Sequence, residues 1–138
     1  LAEAIEDYTQ AIRLNPNETK AYYNRATLYQ KQGDLIKASK DFNQVICLNP
    51  KDAESYYNLG KIHEEQGNLL EAIENYTQAI RFDPNDPDAY SNRGHIRKIQ
   101  GDSQRATKDF NQAANLYKKQ GNITKYKAAL INAQMLGA

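Results

Sequence analysis

Little in this 138-residue chain is suited to covalent or redox chemistry: it has one Cys, two His, one Met and no Trp. A single Cys cannot close an internal disulfide, which excludes a small stapled scaffold. No apolar run approaches the roughly 18 residues of a membrane span. No basic segment precedes an apolar stretch as in a signal peptide, so we expect a cytoplasmic protein that does not engage a membrane. Excess charge of one sign is also missing. Lys and Arg number 18 against 17 Asp and Glu, a formal net charge of +1 that gives no overall pull toward nucleic acid or lipid. What remains, 40% hydrophobic and 25% charged residues, is the balance of a chain that folds around a core. The length suits one domain, and with Leu1 rather than Met at its start we expect a fragment of something longer.

Proline and glycine are few, 4 and 7, but regularly placed. Pro16, Pro50 and Pro84 recur every 34 residues, as do Gly33, Gly67 and Gly101. Tyr22, Tyr56 and Tyr90 keep that interval, and so do Asn24, Asn58 and Asn92. A second set runs four times: Ala4, Ala38, Ala72 and Ala106, with Tyr8, Phe42, Tyr76 and Phe110, and with Gln10, Gln44, Gln78 and Gln112. One fixed period across several residue types is the signature of stacked supersecondary units.

Each unit reads as two helices. Tyr22, Ala26 and Tyr29 fall at i, i+4 and i+7, one helical stripe. Gly33-Asp34 then breaks the helix, as Gly67-Asn68 and Gly101-Asp102 do later. The next segment puts Ala38, Phe42, Val45 and Ile46 on another stripe, and Asn49-Pro50 ends it, because a residue before Pro is pushed out of the α region. No segment alternates with period two, so no strands are expected. The spacing predicts an all-α protein of eight helices: 1–14, then 19–32 paired with 35–48, 53–66 with 69–82, and 87–100 with 103–120, then 123–136.

These residues resemble tetratricopeptide repeats, whose 34-residue pattern is W-x2-L-G-x2-Y…A-x3-F…P. Tyr56-Tyr-Asn-Leu59-Gly60 fits the opening with Tyr for Trp; Tyr90-Ser-Asn-Arg93-Gly94 has Arg in place of Leu; Tyr22-Tyr-Asn-Arg-Ala26 has Ala in place of Gly. Ala38-x3-Phe42, Ala72-x3-Tyr76 and Ala106-x3-Phe110 supply the second half. Small Ala and Gly let helices approach while the aromatic fills the space between them. The resemblance covers residues 1 to about 118 and implies a right-handed superhelical solenoid of antiparallel helix pairs. One domain over 1–138 then divides into the second half of a truncated repeat at 1–18, repeats at 19–52, 53–86 and 87–120, and a C-terminal capping helix within 121–138.

In that family the first helix of each pair lines a concave groove. Opposite the Tyr22 stripe lie Lys20, Tyr23, Asn24, Thr27, Gln30 and Lys31; the second unit offers Glu54, Tyr57, Asn58, Lys61, Glu64 and Glu65; the third offers Asp88, Ser91, Asn92, His95, Lys98 and Ile99. A carboxamide both donates and accepts, so the Asn24, Asn58, Asn92 ladder could hold an extended backbone, or bond between helices and hold the stack. Tyr23 and Tyr57 could stack on ligand side chains or be partly buried. The peptide-binding groove is expected at Lys20, Tyr23, Asn24, Thr27, Tyr57, Asn58, Lys61, Asn92 and His95. The family's clamp for the terminal carboxylate of chaperone tails resembles a Lys…Asn pair, an Asn and a Lys…Arg pair on successive first helices. Tyr23, Thr27, Asp88 and Asn92 stand at four of those places, so such tails are not the expected partner.

Charge is unevenly spread: residues 1–96 hold 10 Lys and Arg against 15 Asp and Glu, and residues 97–138 hold 8 against 2. Arg97, Lys98, Arg105, Lys108, Lys118, Lys119, Lys125 and Lys127 read as a solvated face of the cap, with an anionic partner as the alternative; nucleic acid is not favoured. His63 lies on the stripe of Tyr29 and Arg97 and reads as packing, and neither His has a second ligand at metal spacing. Cys47 should be part-exposed and lacks a basic partner. No catalytic residue, cofactor or metal is expected. The chain reads as a non-catalytic scaffold for a protein or peptide partner, or alternatively as a module that self-assembles through its ends. A weak homodimer through the apolar face of residues 1–14 is expected, the outer face of the cap being polar.

Overall fold

The computed structural model describes residues 1–137 and contains eight helices and no strand among them. They are α1 (Ala2–Leu14), α2 (Thr19–Lys31), α3 (Leu35–Leu48), α4 (Ala53–Glu65), α5 (Leu69–Phe82), α6 (Pro87–Ile99), α7 (Ser103–Lys119) and α8 (Ile123–Gly137). The principal packing partners are α2 with α3, α4 with α5, α6 with α7 and α7 with α8, joined in chain order by the thinner α1–α2, α3–α4 and α5–α6 contacts. Every helix therefore touches mainly its sequence neighbours, which is the architecture of a solenoid.

Two kinds of punctuation set these boundaries. After α2 the chain turns through Gly33 at φ +80°, a left-handed conformation that costs a residue without Cβ nothing. The Gly33 N–H then donates to the Gln30 carbonyl at 3.0 Å and the Asp34 N–H to the Tyr29 carbonyl at 2.9 Å, a Schellman closure that satisfies the last carbonyls of the helix. The ends of α4, α6 and α7 repeat it. The second kind ends α1, α3 and α5. Asn15, Asn49 and Asp83 are extended (φ −141°, −138° and −139°), as a residue before Pro must be, and each side-chain oxygen accepts an N–H two residues on. Lys118 stands where the next Pro would fall, so α7 runs to 17 residues against 14 in α3 and α5.

The core is a chain of small clusters, each bridging a helix pair to the next helix. Ala26, Ala38 and Phe42 meet Leu59 and Ile62 of α4; Ala72 and Tyr76 meet Ile96 of α6; Ala106 and Phe110 meet Ala133 of α8. Gly60 and Gly94 are demanded by contact rather than by backbone angle. A Cβ on Gly60 would stand 2.7 Å from Tyr76 Cε1, and one on Gly94 3.1 Å from Phe110 Cε1. α8 lays Ala129 and Ala133 against α7, with Tyr126, Leu130 and Leu136 half-buried. The expectation of a polar outer face on α8 is corrected: Ile131 and Met135, 54% and 67% exposed, interleave there with Lys127 and Gln134. Residues four apart share one helical face, so the two make an apolar strip.

Buried ion pairs also tie the helices together. Arg25 donates from Nε and Nη2 to the two oxygens of Asp41 at 2.7 and 2.8 Å, and from Nη1 to Thr9 at 3.1 Å. Two units on, Arg93 repeats this with Asp109 (3.0 and 2.8 Å) and Thr77 (3.1 Å). Sequence reasoning that assigns charge to the wet side of a helix misses these pairs. The signal was the shared register of Arg25 with Arg93, Asp41 with Asp109 and Thr9 with Thr77.

Candidate functional site

The predicted groove residues come from α2, α4 and α6, whose opposite stripes are held by the core. Lys20, Asn24, Lys61 and His95 are exposed, while Tyr23, Thr27, Tyr57, Asn58 and Asn92 are half-buried. The aromatic bodies rest on the core rings of the second helices. Tyr23 meets Phe42 edge-on at 5.7 Å, Tyr57 is tilted on Tyr76 at 5.8 Å, and His95 meets Phe110 edge-on at 4.9 Å. Ser91 occupies the register of Tyr23 and Tyr57, so His95, one turn further along α6, supplies the third ring.

The asparagine ladder is wired to the tyrosines. Asn58 Nδ2 donates to the Tyr23 hydroxyl at 3.4 Å and to the Glu54 carbonyl at 3.0 Å, which uses both of its N–H groups. Asn92 Nδ2 donates to the Tyr57 hydroxyl at 3.1 Å. The carboxamide oxygens have no partner among the described residues, and neither is a buried unpaired atom, so both remain accessible as acceptors. Asn24 has no such bond among the described residues. The Thr27 hydroxyl is spent on its own helix, donating to the carbonyl of Tyr23 at 2.8 Å.

A row of shallow concavities follows this stripe. One of about 350 Å³ brings together Lys20, Tyr23 and Asn24; one of about 270 Å³ brings together Tyr23, Tyr57 and Asn58. A third, about 380 Å³, joins Lys61 to Asn92, and a fourth, about 330 Å³, gathers Tyr57, Asn92 and His95. Thr27 lines none of these four. The fourth has a wall that sequence reasoning missed, Tyr117 of α7 with Lys125, Ala128 and Asn132 of α8. The Tyr117 hydroxyl donates to Asp88 Oδ1, and Lys125 Nζ approaches the same oxygen at 3.4 Å. The missing proline and the longer α7 were the only sequence signs that α8 would border the groove.

The electrostatics are acidic. Asp52, Glu54, Asp83, Asp86, Glu64, Glu65 and Asp88 line these concavities against Lys20, Lys61 and Lys125. Burial pushes the phenols of Tyr23 and Tyr57 up, and nearby carboxylates, Glu54 and Asp88 respectively, push them further. Burial also raises the Asp86 carboxyl. The His95 imidazole is lowered, first by desolvation and then by Lys98, with Glu64 opposing. His63 is half-buried as expected, with Nδ1 unpaired among the described residues, and Cys47 is exposed.

An all-α stack of helix pairs presenting one polar, ring-lined stripe belongs to the class of helical-repeat interaction scaffolds. The chain belongs to the tetratricopeptide repeat family: it matches "TPR repeat" over residues 1–33, 29–67 and 65–101, and "Tetratricopeptide repeat" over residues 87–120. A 31-residue stretch is 61% identical to Hsp70-Hsp90 organizing protein 1 of Arabidopsis thaliana; it is 22% of this chain and 5% of that protein, so only a small fraction of the relative is represented. MamA of Desulfovibrio magneticus RS-1 superposes with a TM-score of 0.78 at 24% identity, over 86% of this chain and 67% of its own. PcrH, solved in complex with the chaperone binding region of PopD, superposes with a TM-score of 0.79 at 20% identity, over 86% and 90%. These two structures share the fold. Among the described residues no helix is long and apolar enough to cross a membrane.

Proposed function

We propose that this chain is a non-catalytic scaffold that holds an extended segment of a partner protein along α2, α4 and α6. The observation that carries the proposal is the ladder. Asn58 and Asn92 have their N–H groups drawn to the tyrosines of the preceding helix, leaving carboxamide oxygens aimed at no protein group and free to accept from a peptide backbone. Lys20, Tyr23, Asn24, Tyr57, Lys61 and His95 complete the contact surface, with Thr27 as an apolar edge. The carboxylates beside them favour a segment with basic side chains and disfavour the acidic end of a chaperone tail, which would meet Asp88 and Glu54. The working units are residues 19–52, 53–86 and 87–120, with 1–18 completing a preceding unit and 121–138 closing the groove beyond α6. Selecting peptides from a random displayed library tests this. Enriched sequences should be extended and basic, and their amide shift perturbations should follow α2, α4 and α6. Perturbations confined to α3, α5 and α7 would refute it.

A second reading, association of copies through their ends, is favoured by the apolar strip of Ile131 and Met135 on α8 and by the half-covered Ile5, Tyr8 and Ile12 on α1. Sedimentation at rising concentration tests it: a strict monomer sinks this reading, while association lost in Ile131→Glu points to α8 and association that persists in it points to α1.

A further inference from the structure

The stripe of α6 that turns away from the tyrosine–asparagine ladder borders a second kind of concavity, about 450 Å³ in volume, between α6 and α7. Arg93, Arg97, Arg105 and Lys108 line it with Tyr90 and a single carboxylate, Asp109. That carboxylate is already shared between two guanidiniums. Its Oδ1 accepts from Arg93 Nη2 at 2.8 Å, and its Oδ2 accepts from both Arg93 Nε at 3.0 Å and Arg97 Nη1 at 2.8 Å. The other carboxylate in reach, Asp102, stands 3.7 Å from Arg105 at the surface. Four cations therefore face two carboxylates. Arg93 and Arg97 side chains are only 13% and 17% exposed, so water screens little of their charge, and for Arg97 alone of its set this corrects the expectation of a solvated face. Consistently, the Arg97 guanidinium is lowered, first by burial and then by Arg93 beside it.

The chain holds its own comparison. In the first full unit Arg25 pairs one-to-one with Asp41, and Tyr29 fills the place of Arg97. In the second, Leu59, His63, Glu71, Glu74 and Asn75 replace Arg93, Arg97, Arg105, Lys108 and Asp109. Lys37 and Lys40 keep the rim in the first unit, where three cations face Asp41 and Asp34, while the second unit lacks it; the fold thus requires neither the second guanidinium nor the rim, and the surplus of two cations, which Arg97 completes, is particular to α6 and α7.

We propose that the α6–α7 concavity is an oxyanion site for a phosphate monoester. Arg97 engages it through the guanidinium nitrogens that Asp109 leaves free, while Arg105 and Lys108 close on it from α7. A guanidinium fork matches phosphate oxygens in geometry, and a phosphoryl group of charge about −2 offsets the surplus of two cations. A free phosphate ion and a phosphorylated side chain on a partner share this chemistry.

The test is NMR of the full 138-residue chain at low ionic strength, following arginine Nε–Hε and backbone amide resonances. The probes are inorganic phosphate, a phosphoserine peptide and its unphosphorylated counterpart. Saturable shifts centred on Arg97, Arg105 and α7 are expected with both phosphorylated probes. Tighter binding of the phosphopeptide assigns the source to a modified partner, and equal binding assigns it to the free ion. Arg105 and Lys108 are exposed, so Arg105→Gln with Lys108→Gln keeps the fold and should weaken binding by about tenfold or more. Lys37→Gln with Lys40→Gln, the same positions two units earlier, should leave it unchanged. Shifts that fail to saturate, spread over all cations of the chain, or ignore the Arg105→Gln, Lys108→Gln change would overturn the proposal.

Discussion

Asn92 on α6 donates from Nδ2 to the hydroxyl of Tyr57 on α4 at 3.1 Å, thirty-five positions back along the chain. The bond runs between successive first helices, so it both holds the stack and fixes which atom of the carboxamide is presented. A half-buried neutral hydrogen bond contributes about 1 kcal/mol. Asn92→Ala and Tyr57→Phe should each lower stability by roughly that amount, and a double-mutant cycle by denaturant unfolding should return a coupling of about 0.5–1.5 kcal/mol. Asn24→Ala should change stability by less than about 0.5 kcal/mol, because Asn24 is exposed and lacks such a bond.

Arg25→Leu should destabilise far more. It leaves Asp41 buried without its cation, and breaking such a pair by removing one partner costs about 3–5 kcal/mol. The second unit already carries the apolar solution, Leu59 with Asn75 at the same register. Arg25→Leu with Asp41→Asn should therefore recover more than half of the loss. Thermal unfolding of the two variants checks this, and a double variant as unstable as the single one would show that the pair does more than neutralise itself.

Gly60→Ala sets two effects of opposite sign against each other. Removing a helical glycine gains up to about 1 kcal/mol, whereas forcing a methyl into a filled core costs about 1–3 kcal/mol. Crowding should win, because Tyr76 is fully buried and its hydroxyl is tied to Glu64 at 2.8 Å, so the ring cannot retreat from a Cβ at 2.7 Å. Gly94→Ala, with 3.1 Å to Phe110, should cost less. The first unit agrees: Ala26 sits at this register against Phe42, which has no hydroxyl to anchor it.

His95 gives a pH dependence whose sign follows from its surroundings. Desolvation against the groove wall and the charge of Lys98 lower its imidazole in the folded chain, with Glu64 acting in the opposite sense. A folded value below the unfolded one means that the full stability is present above the unfolded value of about 6.5 and is lost as pH falls through the folded value. Unfolding free energy should decline between pH 7.5 and 5.5, and His95→Gln should flatten that decline. The raised Asp86 carboxyl has the opposite sign and acts at lower pH, where protonation favours the fold.

Much of this fold is legible in the sequence. Gly33, Gly67, Gly101 and Gly121 each close a helix, and Asn15, Asn49 and Asp83 each stop one before a proline, so local stereochemistry alone placed the boundaries to within a residue or two. The side-chain network was less legible. Periodicity sorts residues into wet and dry faces, and Arg25, Arg93 and Arg97 are charged yet sit between helices, where only a carboxylate on the following helix explains them. Asn58 was visible as a ladder residue, but the tyrosine that takes its N–H lies in the preceding unit, and a single-helix stripe does not contain it. The α8 wall of the groove was hidden for the same reason, since it depends on how far α7 runs before Gly121 turns the chain.

The central claim is that the ladder oxygens accept from a bound backbone, and the affinity of a library-selected groove peptide for Asn58→Ala and Asn92→Ala tests it most directly. By isothermal titration each folded variant should bind about 1–3 kcal/mol more weakly than the parent chain, with Asn24→Ala affected least. Variants that fold normally and bind the peptide undiminished would contradict the account and leave the ladder a purely structural tie between helices.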